Sequence, residues 1–264
     1  MYEIYNGERK IYEDDEMIDI NNVLNEYDKI FDRNDVEGAR QYLQKWLNEA
    51  VQWKDWKSEF TLLNEMLGLY RKLGMKAESI DTISRIKAIM SKQELNNEIS
   101  TAITWVNIAT ALRMFGEYND ALDAFKIAQK TYDEKLEPND IKFASFYNNF
   151  ALLYTDMNMY EEAEQSYLIA IDIVNNNENT SGYLAMTYAN LMCLYEKSKP
   201  DEPVIINSYQ DKIMSIFNQS EMLQDAYMAF VANSISVVLA ELGFTENAIL
   251  LEEKARKFYE EQRK

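Results

Sequence analysis

The sequence predicts an all-α fold, an α-α superhelix of about six helical hairpins that repeat along the chain. Only 7 glycines and 3 prolines occur among the 264 residues, which is few for a protein with many strands and tight turns. Leu, Ala, Glu, Lys and Met, which favour helices, are plentiful. A short pattern of aromatic and alanine residues also recurs about every 40 residues. Together these features indicate long helices arranged in repeated pairs.

The recurring pattern shows best in two stretches. FGEYNDALDAF, residues 115–125, returns as MNMYEEAEQSY, residues 157–167, and each matched pair is 42 residues apart. Six copies align along the chain, and at the expected turn between their two helices they carry Asn34, Gly74, Gly116, Asn158, Lys199 and Gly243. Five of these six residues are Gly or Asn, the types that most readily take the left-handed conformation that ends a helix.

A second recurring position predicts close packing inside each hairpin. Early in the second helix the six copies carry Ala39, Ser79, Ala121, Ala163, Val204 and Ala248, so most side chains there are small enough for two helix backbones to approach. One hairpin cannot bury both of its apolar stripes, and stacked neighbours must cover the remainder. We therefore expect an N-terminal capping segment over residues 1–18 and a solenoid over 19–264, with units near 20–59, 60–101, 102–143, 144–184, 185–228 and 229–264.

The residues of the third and fourth units resemble the signature of the tetratricopeptide repeat (TPR). The third unit carries Trp105, Ile108, Ala109, Leu112, Gly116, Tyr118, Ala121, Phe125 and Ala128. The fourth repeats the pattern as Tyr147, Phe150, Ala151, Tyr154, Tyr160, Ala163, Tyr167 and Ala170. The usual repeat has about 34 residues, so these longer units are similar to those of kinesin light chains and bacterial peptide-sensing regulators.

The resemblance extends over most of residues 19–264 and is weakest in the fifth unit. Pro200 and Pro203 interrupt the helical pattern there, because proline lacks an amide proton and restricts the residue before it. We expect a longer loop over residues 198–204, and the register of the following helix is left open. The polar stretches 136–140 and 175–182 are expected to be loops between hairpins.

The resemblance implies a concave groove, lined by the first helix of each hairpin, that binds a peptide or a partner's helix. Asparagines recur on these helices, and we predict that they bind peptide: Asn64, Asn107, Asn148, Asn149, Asn190 and Asn233. An amide side chain both donates and accepts, so it can hydrogen-bond a peptide main chain of any sequence. The alternative is that these asparagines are solvated or bond one helix to another. The sequence shows no set of Lys and Arg that would converge on a terminal carboxylate.

Charge and composition limit the classes of partner. The chain has 45 acidic and 27 basic residues, a formal net charge of −18, and so repels the phosphates of nucleic acids and anionic lipids. We expect a protein or peptide partner that is neutral or basic, and neither nucleic acid nor membrane. The polar N-terminus does not resemble a signal peptide, and the sequence contains no apolar run of about 18 residues. These features predict a cytoplasmic protein.

Residue types argue against catalysis. The chain contains no histidine and one cysteine, Cys193, which removes the usual triads, histidine acid–base chemistry and most zinc sites. Cys193 lies in an apolar helical pattern, where a buried structural role is favoured over a reactive thiol. We expect no enzyme activity, no cofactor and no metal. The favoured function is a peptide-binding scaffold; the alternatives are a peptide-sensing regulator without its effector domain and, more remotely, a carboxylate-based hydrolase.

Overall fold

The computed structural model describes residues 18–33, 35–95, 98–219, 223 and 225–262. These residues form twelve α-helices and no strand, which confirms the all-α prediction. Most of the expected capping segment, residues 1–17, and the turn residue Asn34 lie outside the described residues.

The twelve helices follow one another in pairs that form six hairpins. In chain order they are α1 (Ile20–Asp32), α2 (Val36–Trp53), α3 (Trp56–Lys72), α4 (Lys76–Lys92), α5 (Ile99–Met114), α6 (Tyr118–Lys135), α7 (Ile141–Asp156), α8 (Tyr160–Asn175), α9 (Ser181–Ser198), α10 (Pro203–Phe217), α11 (Ala226–Glu241) and α12 (Thr245–Gln262). The loops expected over residues 136–140 and 175–182 lie between hairpins, as predicted.

The helices belong to two compact units. In the first unit, α1 packs on α2, α3 on α4 and α5 on α6, and α3 also contacts α2 and α5. In the second unit, α7 packs on α8, α9 on α10 and α11 on α12, and α9 also contacts α8 and α11. Each unit is thus a stack of three hairpins, because every first helix buries one side against its own partner and another against a neighbour.

The turns inside the hairpins have the predicted backbone conformation. Gly74, Gly116 and Gly243 have φ values of 68°, 79° and 86°, and Asn158 has a φ of 60°. The amide after each of these residues donates to the carbonyl five residues earlier, as in Met159 N to Tyr154 O at 2.8 Å. This bond is typical of a helix that ends on a left-handed residue.

The fifth hairpin differs from the sequence prediction at its loop and register. Val204 was aligned with the small packed residues, but it is 77% exposed. The expected loop over 198–204 is shorter, since α9 extends to Ser198 and α10 begins at Pro203. Proline suits a first helical position, where its missing N–H is not needed. Ile206, which is buried, takes the place in α10 that Ala163 takes in α8, three residues after the helix begins.

Candidate functional site

The predicted asparagines lie on the first helices of five hairpins. Asn64 and Asn107 are on α3 and α5 in the first unit, and Asn148, Asn149, Asn190 and Asn233 are on α7, α9 and α11 in the second. Their surroundings differ sharply, so the ladder divides into buried and accessible members.

One pair of asparagines bonds two hairpins together. Asn190 Nδ2 donates to Asn148 Oδ1 over 3.3 Å, joining α9 to α7 across 42 residues of sequence. Both side chains are completely buried, and the neighbouring Asn149 is buried as well. These three asparagines expose almost no surface to a ligand, and the bond corresponds to the inter-helix role that the sequence left as the alternative.

The asparagines of the first unit are partly accessible. Asn64 Nδ2 donates to the carbonyl of Phe60 in its own helix, at 2.9 Å, so its donor group is already in use. Asn107 is partly exposed, and its backbone carbonyl accepts from Thr110 Oγ1 at 2.9 Å. Of these two side chains, Asn107 is therefore better placed to offer its amide to a ligand.

Asn233 lies in the middle of an exposed stripe on α11 that the sequence analysis did not identify. Phe230 is 42% exposed and Val237 is 43% exposed. With the exposed Ala226, Asn233 and Ala240 they form what we call the α11 seam, in which successive residues are alternately four and three apart. This is the spacing with which one helix packs along another.

The other helices of the second unit cover the places that α11 leaves open. The repeat places Met186 and Cys193 in α9 where α11 has Phe230 and Val237. Met186 is buried and Cys193 is half-buried. The spacing of the seam was visible in the sequence, but a Phe or Val in a repeat helix normally belongs to the core.

Cys193 has the environment of a structural thiol. Burial is the largest influence on it and raises the pKa of its thiol above the ordinary value. Because the thiolate is the nucleophilic form, a raised pKa makes the side chain less reactive at neutral pH. This agrees with the structural role favoured by the sequence.

Two further features were sought in the described part of the chain. No group of three or more metal-binding side chains is placed there to hold an ion. None of its helices is both long and apolar enough to cross a bilayer.

Comparisons with known proteins identify the fold. No family model and no curated protein matches the sequence. Among solved structures, BtubC (BKLC) from P. vanneervenii has a TM-score of 0.58 and 18% identity, covering 86% of this chain and 92% of that chain. NprR in complex with its cognate peptide NprX has a TM-score of 0.58 and 15% identity, over 89% of this chain and 66% of that one. A kinesin light chain-like protein of nearly identical TPR-like repeats from Podosopora anserina has a TM-score of 0.52 and 15% identity, over 78% and 97%. At these identities the similarity concerns the fold, and the chain has the fold of the TPR-like helical repeat proteins.

Proposed function

We propose that this protein is a non-enzymatic scaffold that binds a protein or peptide segment on the first helices of its hairpins. The observation that carries the proposal is the α11 seam, where Phe230 and Val237 together present large apolar side chains to solvent. Contiguous exposed apolar surface of this kind marks binding sites more often than isolated hydrophobic residues do. TPR-like folds are also represented by a structure in which the protein, NprR, holds a peptide.

The spacing of the seam suits a helical ligand. Its residues recur every 3.5 positions on average, which corresponds to about 5 Å along a helix axis. A partner helix with the same apolar repeat matches this interval, whereas side chains on one face of an extended strand recur about every 7 Å. The seam from Ala226 to Ala240 is about 21 Å long, enough to contact roughly four turns of a partner helix.

Asn233 supplies the polar contact of this surface. It lies between Phe230 and Val237, and its amide can bond a polar side chain or a free carbonyl of the ligand. A single asparagine in an otherwise apolar helix–helix seam fixes the register and orientation of the partner. Asn107, in the first unit, is the second asparagine that we assign to ligand binding.

Charge at the seam favours a partner with basic flanks. Asp225 and Glu241 are exposed at the two ends of α11, and the whole chain carries a net charge of −18. A neutral apolar stripe flanked by Lys or Arg would complement this arrangement. The association rate is then expected to fall with rising salt, since the Debye length is about 8 Å at physiological ionic strength.

Affinity capture with variants tests the proposal. The double variant Phe230→Asp, Val237→Asp places two charges on the seam, and Ile169→Asp is the matched control because Ile169 on α8 of the same unit is also 42% exposed. We expect the double variant to lose partners that the unaltered protein and the control retain, with all three proteins giving the same circular dichroism spectrum. Equal capture by all three, or equal loss in both variants, would contradict the proposal.

Short peptides are the alternative ligand, as NprX is for NprR. Calorimetry with panels of short extended and helix-forming peptides distinguishes the two. A ligand that binds only as a helix supports the seam geometry, whereas tight binding of extended peptides, insensitive to the Phe230→Asp, Val237→Asp change, would move the site away from α11.

A further inference from the structure

Two arginines from neighbouring first helices meet in the first unit. Arg71 is in the last turn of α3 and Arg113 is in the last turn of α5. Arg71 Nη1 donates to Oγ1 of Thr110 over 2.9 Å, and Thr110 precedes Arg113 by one turn on the same helix. The guanidinium of Arg71 therefore reaches across to α5, where Arg113 is only 6% exposed. We call these two residues the arginine pair.

The two guanidinium groups are close enough to repel each other. The pKa of Arg71 is lowered to about 10, first by burial and then by the positive charge of Arg113. The pKa of the adjacent Lys72 is also lowered, by burial and then by Arg71, and its ammonium lies 4.7 Å from the ring centroid of Phe31. Collecting buried positive charges is costly, and it is unusual in a chain with 45 acidic residues.

Thr110 holds this arrangement in place. Its hydroxyl accepts from Arg71 and gives its own proton to the backbone carbonyl of Asn107. The hydroxyl is thereby fixed as an acceptor for Arg71, and Thr110 is a positioning residue. Asn107, which we assign to the ligand main chain, begins the same turn of α5.

We propose that Arg71 and Arg113 bind a carboxylate of the peptide ligand. Guanidinium groups offer paired N–H donors that match the two oxygens of a carboxylate. A negative charge between them reverses the mutual repulsion and satisfies donors that are largely removed from water. The inference deepens the proposed function, on which it rests for the peptide nature of the ligand: a partner segment that is otherwise neutral or basic carries one acidic residue for this site.

The carboxylate has two possible sources. A partner peptide can provide it, and so can the chain's own first 17 residues, which carry Glu3, Glu8, Glu13, Asp14, Asp15 and Glu16. The chemistry at the arginine pair is the same for both, and the experiment below separates them.

Titration with simple peptides tests the site. Acetyl-Glu-Glu-Glu-amide and acetyl-Gln-Gln-Gln-amide are titrated into the full chain at physiological salt, following the arginine side-chain resonances by NMR. Charge-assisted hydrogen bonds predict that the acidic peptide binds roughly tenfold more tightly or better. Arg113→Gln should abolish this preference, and Arg71→Lys, which keeps the charge but loses the paired donors, should reduce it.

Arg40→Gln is the matched control. It makes the same change in charge within the first unit, at an arginine whose partner is the exposed Glu37, and should leave the preference within about twofold. Equal binding of the two peptides would overturn the inference. So would an equal loss in Arg40→Gln and Arg113→Gln, or inorganic phosphate displacing the acidic peptide while the glutamine peptide binds as well.

A variant with the six N-terminal carboxylates changed to amides identifies the source. Tighter binding of the acidic peptide in this variant, cancelled by adding Arg113→Gln, assigns the chain's own segment as a competing occupant. Unchanged binding assigns a partner's carboxylate. If the partner captured through the α11 seam is retained while the acidic preference is absent, this inference fails and the proposed function stands. If the acidic preference is present but no partner depends on the seam, the proposed function fails instead.

Discussion

The buried asparagine pair gives the sharpest test of which asparagines serve the fold and which serve a ligand. Asn190→Ala removes the donor that reaches Asn148 Oδ1. Asn148 Nδ2 already makes no hydrogen bond within the described residues, so this variant leaves the whole Asn148 amide unsatisfied and completely buried. An unsatisfied buried polar group costs about 1–3 kcal/mol, and we expect about 2–3 kcal/mol of lost stability.

The reverse change should cost less. Asn148→Ala deprives Asn190 of one acceptor but also removes the buried Nδ2 group, and we expect a loss of about 1–2 kcal/mol. In the double variant the two costs should not add, because both single changes break the same bond; a coupling energy of about 1 kcal/mol is expected. Asn233→Ala, at an exposed position, should change stability by less than about 0.5 kcal/mol and weaken only partner capture.

Urea unfolding followed by circular dichroism measures these differences. Hydrogen exchange in α7 and α9 shows whether the loss is local to the bonded hairpins, which matters because repeat arrays need not unfold as one unit. If Asn190→Ala proves as harmless as Asn233→Ala, the pair does not join the hairpins. If Asn190→Ala abolishes partner capture without altering stability, the buried asparagines would have to be reassigned to the ligand.

Three other substitutions or reactions have clear expected outcomes. Gly182→Ala should destabilise by about 1–3 kcal/mol, because its Cβ would lie 2.7 Å from a tyrosine ring of α11; Gly68→Ala, with nothing within 4 Å, should stabilise by about 0.5–1 kcal/mol, and melting temperatures compare them. Asn158→Ala should cost about 1 kcal/mol because of its positive φ, while Lys199→Ala at the equivalent turn, with a φ of −143°, should be nearly neutral; a reversed order would refute the turn assignment. Cys193 should react with iodoacetamide more slowly than free cysteine at pH 8, since its thiol pKa is raised, and unfolding in urea should restore the rate; fast reaction in the folded protein would contradict its burial.

The failures of sequence reasoning have a common origin in the fifth and sixth hairpins. Both Pro200 and Pro203 predicted a break, yet only the structure shows that Pro203 begins α10 and that Ile206 takes the packed position. Likewise Phe230 resembles a core residue in sequence. Its exposure depends on whether a neighbouring element covers that side of α11, and that information is not local.

Local interactions determined what the sequence by itself could predict. Helices follow from composition and periodicity, and each turn follows from a Gly or Asn that tolerates a positive φ at little cost, so the all-α hairpins were predictable residue by residue. Contacts between hairpins decided the rest. The bond from Asn190 to Asn148 and the meeting of Arg71 with Arg113 each join residues about 42 positions apart. Whether such side chains face each other, a ligand or solvent depends on the stacking of one hairpin on the next, which is settled by packing rather than by any short stretch of sequence.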